Sequence, residues 1–366
     1  MNILNVMWGG GTDFVSVHKV HRDILKLSER GSSIVNLLLQ GGEAPPLMEV
    51  GPVSCLGLSS ARIKGRGLAS IQRLIDRRRL VRWITVRRPQ VILLDGMGVA
   101  TYVLPLLREL TQVRVVVLFH GNKRIKPEQS RLLQAFPAER LELMAVSATL
   151  AADIQHQTGC KVSGVRVALR PDTLRLSLLN KEAARDGLGL PVAEGRGRII
   201  GAVGRLVSEK GFSQLIEVLA EELRANPDDR LVILGEGPER EALSTLASKL
   251  GISTQVFLLG HVAEAVRLYR AFDLLCIPSR QEGLGLVLSE AVIAGVPVLA
   301  SDLPVFREQL AGGVGLLPVD QKPAWKAALS FYLRGNLAEL AQAQMAGMNP
   351  ESAWKDFVEC YRCLLR

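Results

Sequence analysis

Two hydrophobic spacings alternate along this 366-residue chain. Short, mostly apolar runs at Ile3 to Met7, Ser33 to Leu39, Val91 to Leu94, Val113 to Phe119 and Leu143 to Val146 have the length and β-branched content of buried strands. Between them, apolar residues recur at helical spacing near Val15 to Arg30, Leu68 to Thr85, Thr101 to Leu110 and Ser147 to Thr158. The second half repeats the theme. Ile199 to Val203, Leu231 to Leu234, Val256 to Leu259 and Leu274 to Ile277 read as strands separated by amphipathic stretches. Strands alternating with helices predict parallel sheets covered on both faces, and the length suits two such α/β domains.

Composition narrows the class. At 48% hydrophobic and 22% charged residues the chain is globular rather than disordered. The opening Met1 to Trp8 lacks the basic n-region of a signal peptide, and no apolar run approaches the roughly 20 residues of a membrane span. A cytoplasmic protein is expected. Cys55, Cys160, Cys276, Cys360 and Cys363 are scattered and odd in number, which fits reduced thiols. Cys360-x-x-Cys363 lacks the second pair or nearby histidines of a zinc site.

Charge is concentrated in one segment. Arg62 to Arg88 holds ten Arg or Lys residues against the single acid Asp76, an excess of nine that equals the net +9 of the chain. Leu68, Ile71, Leu74, Ile75, Val81 and Ile84 are expected to pack one helix face, leaving Arg73, Arg77, Arg78 and Arg82 in solvent. Such a face is either simply solvated or attracts anionic lipid, as in a peripheral inner-membrane protein, or a phosphorylated acceptor. Nucleic acid is not expected, since aromatics are only 5% and no recognised binding motif accompanies the cluster.

Polar and glycine-rich blocks follow the strands of the second half: Gly204-Arg205-Leu206, Glu209-Lys210-Gly211, Gly235-Glu236-Gly237-Pro238, Gly260-His261-Val262 and Glu282-Gly283-Leu284-Gly285-Leu286 with Glu290. In open α/β sheets the ligand sits beyond the carboxyl ends of the strands, where these blocks fall. Gly283 and Gly285 allow close backbone approach, and a helix starting near Leu286 turns its free N–H groups toward an anion. Arg205 and Lys210 supply positive charge to the same phosphates, a pattern suited to a diphosphate. Glu282 and Glu290 are eight positions apart, roughly 12 Å on a continuous helix and wider than the pair of a glycosidase. Two carboxylates so spaced suit hydroxyls at opposite ends of a nucleotide sugar. Singly, each signal is weak; their ordered occurrence is specific.

In the first half, Gly9-Gly10-Gly11-Thr12 follows the first strand, so its N–H groups are expected to meet a phosphate. Phe14 stands where a dinucleotide fingerprint needs its last glycine. Asp13 either meets a substrate hydroxyl or caps a helix. A lone histidine is more often structural, but His120 ends a buried strand, which favours a ligand role.

The ordered blocks resemble the C-terminal half of retaining glycosyltransferases of family 4, whose signature is Glu, seven residues, Glu, preceded by a Gly-Arg-Leu…Glu-Lys-Gly loop. The resemblance implies the GT-B architecture, two Rossmann-like domains facing across a cleft. An acceptor domain would span residues 1–170 and a donor domain residues 171–349, with a C-terminal helix over residues 350–366 packing back on the first. It implies that Arg205 and Lys210 bind the donor diphosphate, that Glu282 and the backbone of Gly283 to Leu286 hold the sugar and phosphate, and that Glu290 holds the ribose. The base would lie near Gly235 to Gly237 and Gly260 to Val262, including His261. Gly10 and Gly11 would contribute to the diphosphate site, and His120 would stand beside the donor sugar. Val146-Ser147 also resembles the family pattern. The segment after Cys160 departs from it, because Val165 to Leu174 lacks the family's Asn-Gly-Val/Ile-Asp. Arg185 to Pro191 recovers the helix and Leu-Gly-Leu-Pro that precede the second domain.

The expected activity is transfer of a hexose from a nucleotide-sugar to a glycan or glycolipid acceptor, as in synthesis of bacterial lipopolysaccharide core or cell-surface polysaccharide. The resemblance implies a transfer that needs no cofactor or metal, and the chain has no Asp-x-Asp. A nucleotide-sugar epimerase of the same fold and a non-catalytic sugar-nucleotide-binding protein are the alternatives.

Overall fold

A computed structural model of the chain describes residues 1–11, 14–64, 69–121, 124–190 and 197–365. Thr12 and Asp13, part of the basic segment including Leu68, and Pro191 of the Leu-Gly-Leu-Pro stretch lie outside the described residues. The chain divides into two compact units, Met1–Val167 with Lys355–Arg366, and Ala168–Trp354.

The first unit is built on seven strands: β1 (Asn2–Met7), β2 (Ser33–Leu38), β3 (Val53–Cys55), β4 (Val91–Asp95), β5 (Arg114–Phe119), β6 (Leu141–Ala145) and β7 (Ser163–Gly164). Their order is β3-β2-β1-β4-β5-β6-β7, and every neighbouring pair is parallel. Val115 to Leu118 of β5 are completely buried, as a central strand covered on both faces requires. Burial of this kind stabilises by about 1.5–3 kcal/mol per large apolar side chain. In the terminal helix Pro350–Leu364, the rings of Phe357 and Tyr361 are buried and lie 4.7 Å apart, and Arg114 donates to the Leu364 carbonyl.

The second unit carries β8 (Ile199–Val203), β9 (Arg230–Leu234), β10 (Val256–Gly260), β11 (Leu274–Ile277), β12 (Val298–Ser301) and β13 (Leu316–Leu317) in the order β10-β9-β8-β11-β12-β13, again all parallel. Both sheets therefore reverse direction of growth once, between β1 and β4 and between β8 and β11. At such a switch point the loops leaving the two strands diverge to opposite faces and leave a crevice at their carboxyl ends.

The helix Ala69–Arg87 corrects an expectation. Leu74 and Ile75 were to pack inward, yet they are 60% and 50% exposed. Asp76, Leu80 and Ile84 are buried, and Arg73 and Arg77 are half-buried on the same face. The reason is an ion pair: both oxygens of Asp76 accept from Arg62, Oδ2 from Nε at 2.9 Å and Oδ1 from Nη2 at 2.5 Å. Anchoring Asp76 inward turns positions 73, 77, 80 and 84 with it. Arg78 and Arg82 remain exposed. The helix expected from Thr101 starts earlier, at Gly96, directly after β4, and contains Pro105.

Candidate active site

In the second unit the switch point brings together the ends of β8 and β11. After β8, Gly204 leads to the exposed Arg205 and then to a short turn, Ser208–Lys210. Gly211 follows in the left-handed region at φ 68°, and a Cβ there would fall 2.1 Å from the Pro278 carbonyl oxygen. That close approach presses the Lys210 loop onto the segment leaving β11. Lys210 Nζ then donates to Glu282 Oε1 at 2.6 Å, and Ser279 Oγ donates to the same oxygen at 2.8 Å. Both charged side chains are largely buried, at 19% and 12% exposure. One of three ammonium protons is used, so two remain for a ligand. Arg280 braces the loop from outside through the Ser208 carbonyl at 2.7 Å and Asp320 at 2.9 Å.

Glu282 stands in the loop, and the helix begins only at Leu286 and runs to Ile293. Its N-cap is Gly285, left-handed at φ 60°, with no side chain to cap the helix; Leu288 N–H turns back to the Gly285 carbonyl at 3.1 Å, and the N–H groups of Leu286 and Val287 are left at the open end. A Cβ on Gly285 would meet Phe306 Cε1 at 2.6 Å, so glycine is required by both space and conformation. Gln309 fixes the turn, donating to the Leu284 carbonyl at 3.0 Å and accepting from Ser289 at 2.7 Å. Glu290 lies on the helix and accepts from the Tyr269 hydroxyl at 2.9 Å. Burial, reinforced by Glu290, pushes the Tyr269 phenol well above its ordinary range, so it stays a donor.

The neighbouring loops are knitted tightly. Gly235 N–H donates to the Gly260 carbonyl at 2.8 Å, and Leu206 N–H to the Glu236 carbonyl at 2.9 Å. A Cβ on Gly235 would lie 1.8 Å from the Gly204 carbonyl oxygen. His261 is exposed and Val262 half-buried just beyond β10. The second-unit residues singled out from sequence thus gather at the carboxyl ends of β8 to β11.

The first unit differs from expectation. Gly10 and Gly11 were to offer N–H groups to a phosphate, but these donate to the carbonyls of Gly41 at 3.0 Å and Glu43 at 2.8 Å. A Cβ on Gly10 would fall 2.5 Å from that segment, so the glycine serves loop-to-loop packing. His120 is also engaged. Its Nε2 lies 2.9 Å from His21 Nε2 and 3.7 Å from Asp95 Oδ1, while its Nδ1 is buried without a partner.

Asn36 Nδ2 donates to the carbonyls of Leu47 at 3.1 Å and Gly51 at 3.3 Å, so its Oδ1 faces Asn5 Nδ2 at 2.9 Å. Asn5 Oδ1 is then the acceptor 2.7 Å from His21 Nδ1, which must carry a proton. A neutral His21 accepts at Nε2, and His120 donates to it. Burial drives the His120 imidazole down to about 3, and burial with the neighbouring His120 and His18 holds His21 well below its usual value. Both rings are neutral. His21, Asp95 and His120 offer ligand atoms within 4.8 Å of one another, but the His21–His120 bond already pairs the two nitrogens that would face an ion.

Sequence reasoning missed His21, Asn5, Asn36, Asp95 and Tyr269. Asn5 and Asn36 had left a signal, a polar residue inside each of two apolar strands.

The family model for "Glycosyl transferases group 1" matches residues 191–344. The D-inositol 3-phosphate glycosyltransferase of Corynebacterium urealyticum is 31% identical over 71% of this chain and 68% of its own. The lipopolysaccharide core biosynthesis mannosyltransferase LpsB of Rhizobium meliloti is 28% identical over 57% of this chain and 58% of its own. Other D-inositol 3-phosphate glycosyltransferases are matched over less, 35% of the Segniliparus rotundus protein and 44% of the Nocardia farcinica protein. Among solved structures, Anabaena Alr3699/HepE in complex with UDP superposes with a TM-score of 0.77 at 18% identity, covering 100% of this chain and 98% of that one. The lipopolysaccharide outer core galactosyltransferase WaaB in its apo form gives 0.68 at 16% identity, covering 98% of each chain. These likenesses in fold identify the two Rossmann-like units as the GT-B class. With the carboxylates, the Lys210 loop and the glycine-capped helix in place, the chain belongs to the group 1 glycosyltransferases.

Proposed function

We propose that this protein transfers a hexose from a nucleotide-sugar to a glycan or glycolipid acceptor with retention of anomeric configuration, in bacterial lipopolysaccharide core or cell-surface polysaccharide synthesis. The observation that carries it is the Lys210–Glu282–Ser279 set beside the uncapped helix start at Gly285. A diphosphate there meets two spare ammonium protons, the guanidinium of Arg205 and free backbone N–H groups. These groups stabilise the charge that develops as the sugar C1–O bond to phosphate breaks, a role that removes the need for a metal. The acceptor oxygen bonds to C1 on the face the phosphate leaves, and its proton passes to a phosphate oxygen. Glu282 takes a hydroxyl of the transferred sugar and Glu290, braced by Tyr269, takes the ribose. Gly235, His261 and Val262 border the base.

The first unit receives the acceptor in this reading. His120 acts there as a neutral wall of the site, its ring fixed by His21, and supplies no titrating group. The exposed Arg78 and Arg82, with Leu74, Ile75 and Val86, give the chain a peripheral membrane contact at the inner leaflet. Among the described residues no helix is long and apolar enough to cross a membrane.

The relatives support the reading. One solved neighbour holds UDP and another relative is named for lipopolysaccharide core synthesis. Its test is a thermal-shift screen of UDP-, GDP-, ADP- and dTDP-sugars followed by proton NMR of the transfer product. A raised melting temperature with one donor class and a product of the donor's own anomeric configuration are expected. Inversion, or interconversion of the sugar without acceptor, would overturn it.

A further inference from the structure

The inward face of the helix Ala69–Arg87 carries two positive charges that no ion pair among the described residues neutralises. Arg73 and Arg77 stand one helical turn apart and are both half-buried. The Nε of each is buried without a hydrogen-bond partner. Buried arginines are normally paired. Asp76, the acid beside them on the helix, is already paired with Arg62 through both of its oxygens. Among the described residues, no ion pair reaches Arg73 or Arg77. Their proximity is felt: burial and then the Arg73 charge hold the Arg77 guanidinium below its ordinary value.

Tyr102 completes the set. It is 1% exposed, its ring lies 5.7 Å from the Arg73 guanidinium carbon, and its hydroxyl is buried without a partner. The charges of Asp76, Arg73, Arg77 and Arg62 all act on that hydroxyl. Two guanidiniums and a phenol thus lie within electrostatic reach of one another, and Arg62 with Asp76 is internally balanced. The local surplus is two positive charges.

We infer that Arg73, Arg77 and Tyr102 form a binding site for a phosphate monoester. A phosphomonoester carries about −1.5 to −2 charge at pH 7 and three acceptor oxygens, which matches this surplus and these donors. Guanidinium forks suit phosphate geometry better than ammonium groups do. Tyr102 lies six residues into the helix that starts at Gly96, roughly 9 Å along its axis from the end of β4. The site therefore flanks the strand-end region of the first unit and selects an acceptor that bears a phosphate. That catalytic meaning rests on the function proposed above; the binding itself does not.

The test is thermal shift of the full chain at constant ionic strength, with glucose 6-phosphate as the soluble probe, glucose as its neutral control, and vesicles containing phosphatidate as the lipid probe. The wild type should gain several degrees with glucose 6-phosphate or, in co-sedimentation, show phosphatidate-dependent binding, and whichever probe succeeds identifies the source. R73Q/R77Q should weaken that binding at least tenfold and raise the ligand-free melting temperature, because like charges leave a half-buried site. Y102F should weaken binding several-fold. R78Q/R82Q, exposed on the same helix, should leave glucose 6-phosphate binding within twofold. Equal losses of glucose 6-phosphate binding in the two double variants would show diffuse attraction instead of a site, and failure of both probes to bind the wild type would equally overturn the inference. Since donor turnover is not read, a wrong transferase assignment cannot mimic either result.

Discussion

At the scale of single residues, Lys210 and Glu290 hold different kinds of partner, and this predicts different defects. Lys210 is placed by Glu282 and Ser279 with donors to spare, so under the proposed function its contribution grows as charge develops on a leaving diphosphate. Replacing it with Ala should lower kcat by roughly 100- to 1,000-fold while the protein stays folded. Glu290 is tied to a permanently protonated Tyr269 and is read as a ground-state contact to the ribose. Glu290→Gln should raise the donor KM and leave kcat within a few-fold. Steady-state kinetics on both variants decide the matter, and the same pattern in each would remove the division of labour. The carboxylates and Lys210 were legible because their spacing survives in one dimension. His21 was not, because its meaning depends on a contact with His120, 99 residues away in the chain.

That contact has a second consequence, in pH. His120 and His21 are neutral in the fold with depressed values, whereas an unfolded histidine titrates near 6.5. Their stabilising effect is complete above about pH 6.5 and is lost as pH falls toward the folded values. Each histidine still neutral at pH 5 costs about 2 kcal/mol relative to pH 6.5, from the extra proton bound by the unfolded chain. Urea midpoints from pH 7 to 5 should therefore fall more steeply for the wild type than for His120→Asn, since carboxylate contributions cancel between the two. Parallel slopes would mean that His120 is charged in the fold.

At the scale of elements, periodicity found every long strand and missed the short ones. β3, β7 and β13 have two or three residues, too few for an apolar run to stand out, and they exist because a neighbouring strand offers a ladder; β12, as long as β11, ends in Ser301 and follows an apolar helix closely enough to merge with it. The helix Ala69–Arg87 failed differently. Counting apolar positions placed Leu74 and Ile75 inside, but one ion pair, Arg62–Asp76, outweighed them. Its outer face now combines Arg78 and Arg82 with the exposed Leu74, Ile75 and Val86, a mixture suited to an anionic bilayer surface. With about 1 kcal/mol per basic residue near such a surface, R78Q/R82Q should reduce co-sedimentation with phosphatidylglycerol vesicles roughly ten- to thirtyfold, an effect that shrinks in high salt. Unchanged sedimentation would leave this face simply solvated.

At the scale of the molecule, the division of the chain is not the division of the sequence. Lys355–Arg366 follows the second unit without a break yet belongs by its contacts with the first. The cause lies in particular side chains: Phe357 and Tyr361 are buried, and the guanidinium of Arg114, at the start of β5, caps the Leu364 carbonyl. A helix amphipathic enough to bury two aromatic rings needs a partner surface; amphipathicity does not say which one, and the expectation of the first domain came from the family resemblance. Removing Lys355–Arg366 should therefore destabilise Met1–Val167, by at least the roughly 3–5 kcal/mol that losing one large buried aromatic costs, and spare the sheet of the second unit. Hydrogen exchange resolves the two cases. Amides of β5 and β6 should lose protection in the truncated chain, while those of β8 and β11 exchange as in the intact protein. Loss of protection confined to the second unit would assign the helix to the wrong side.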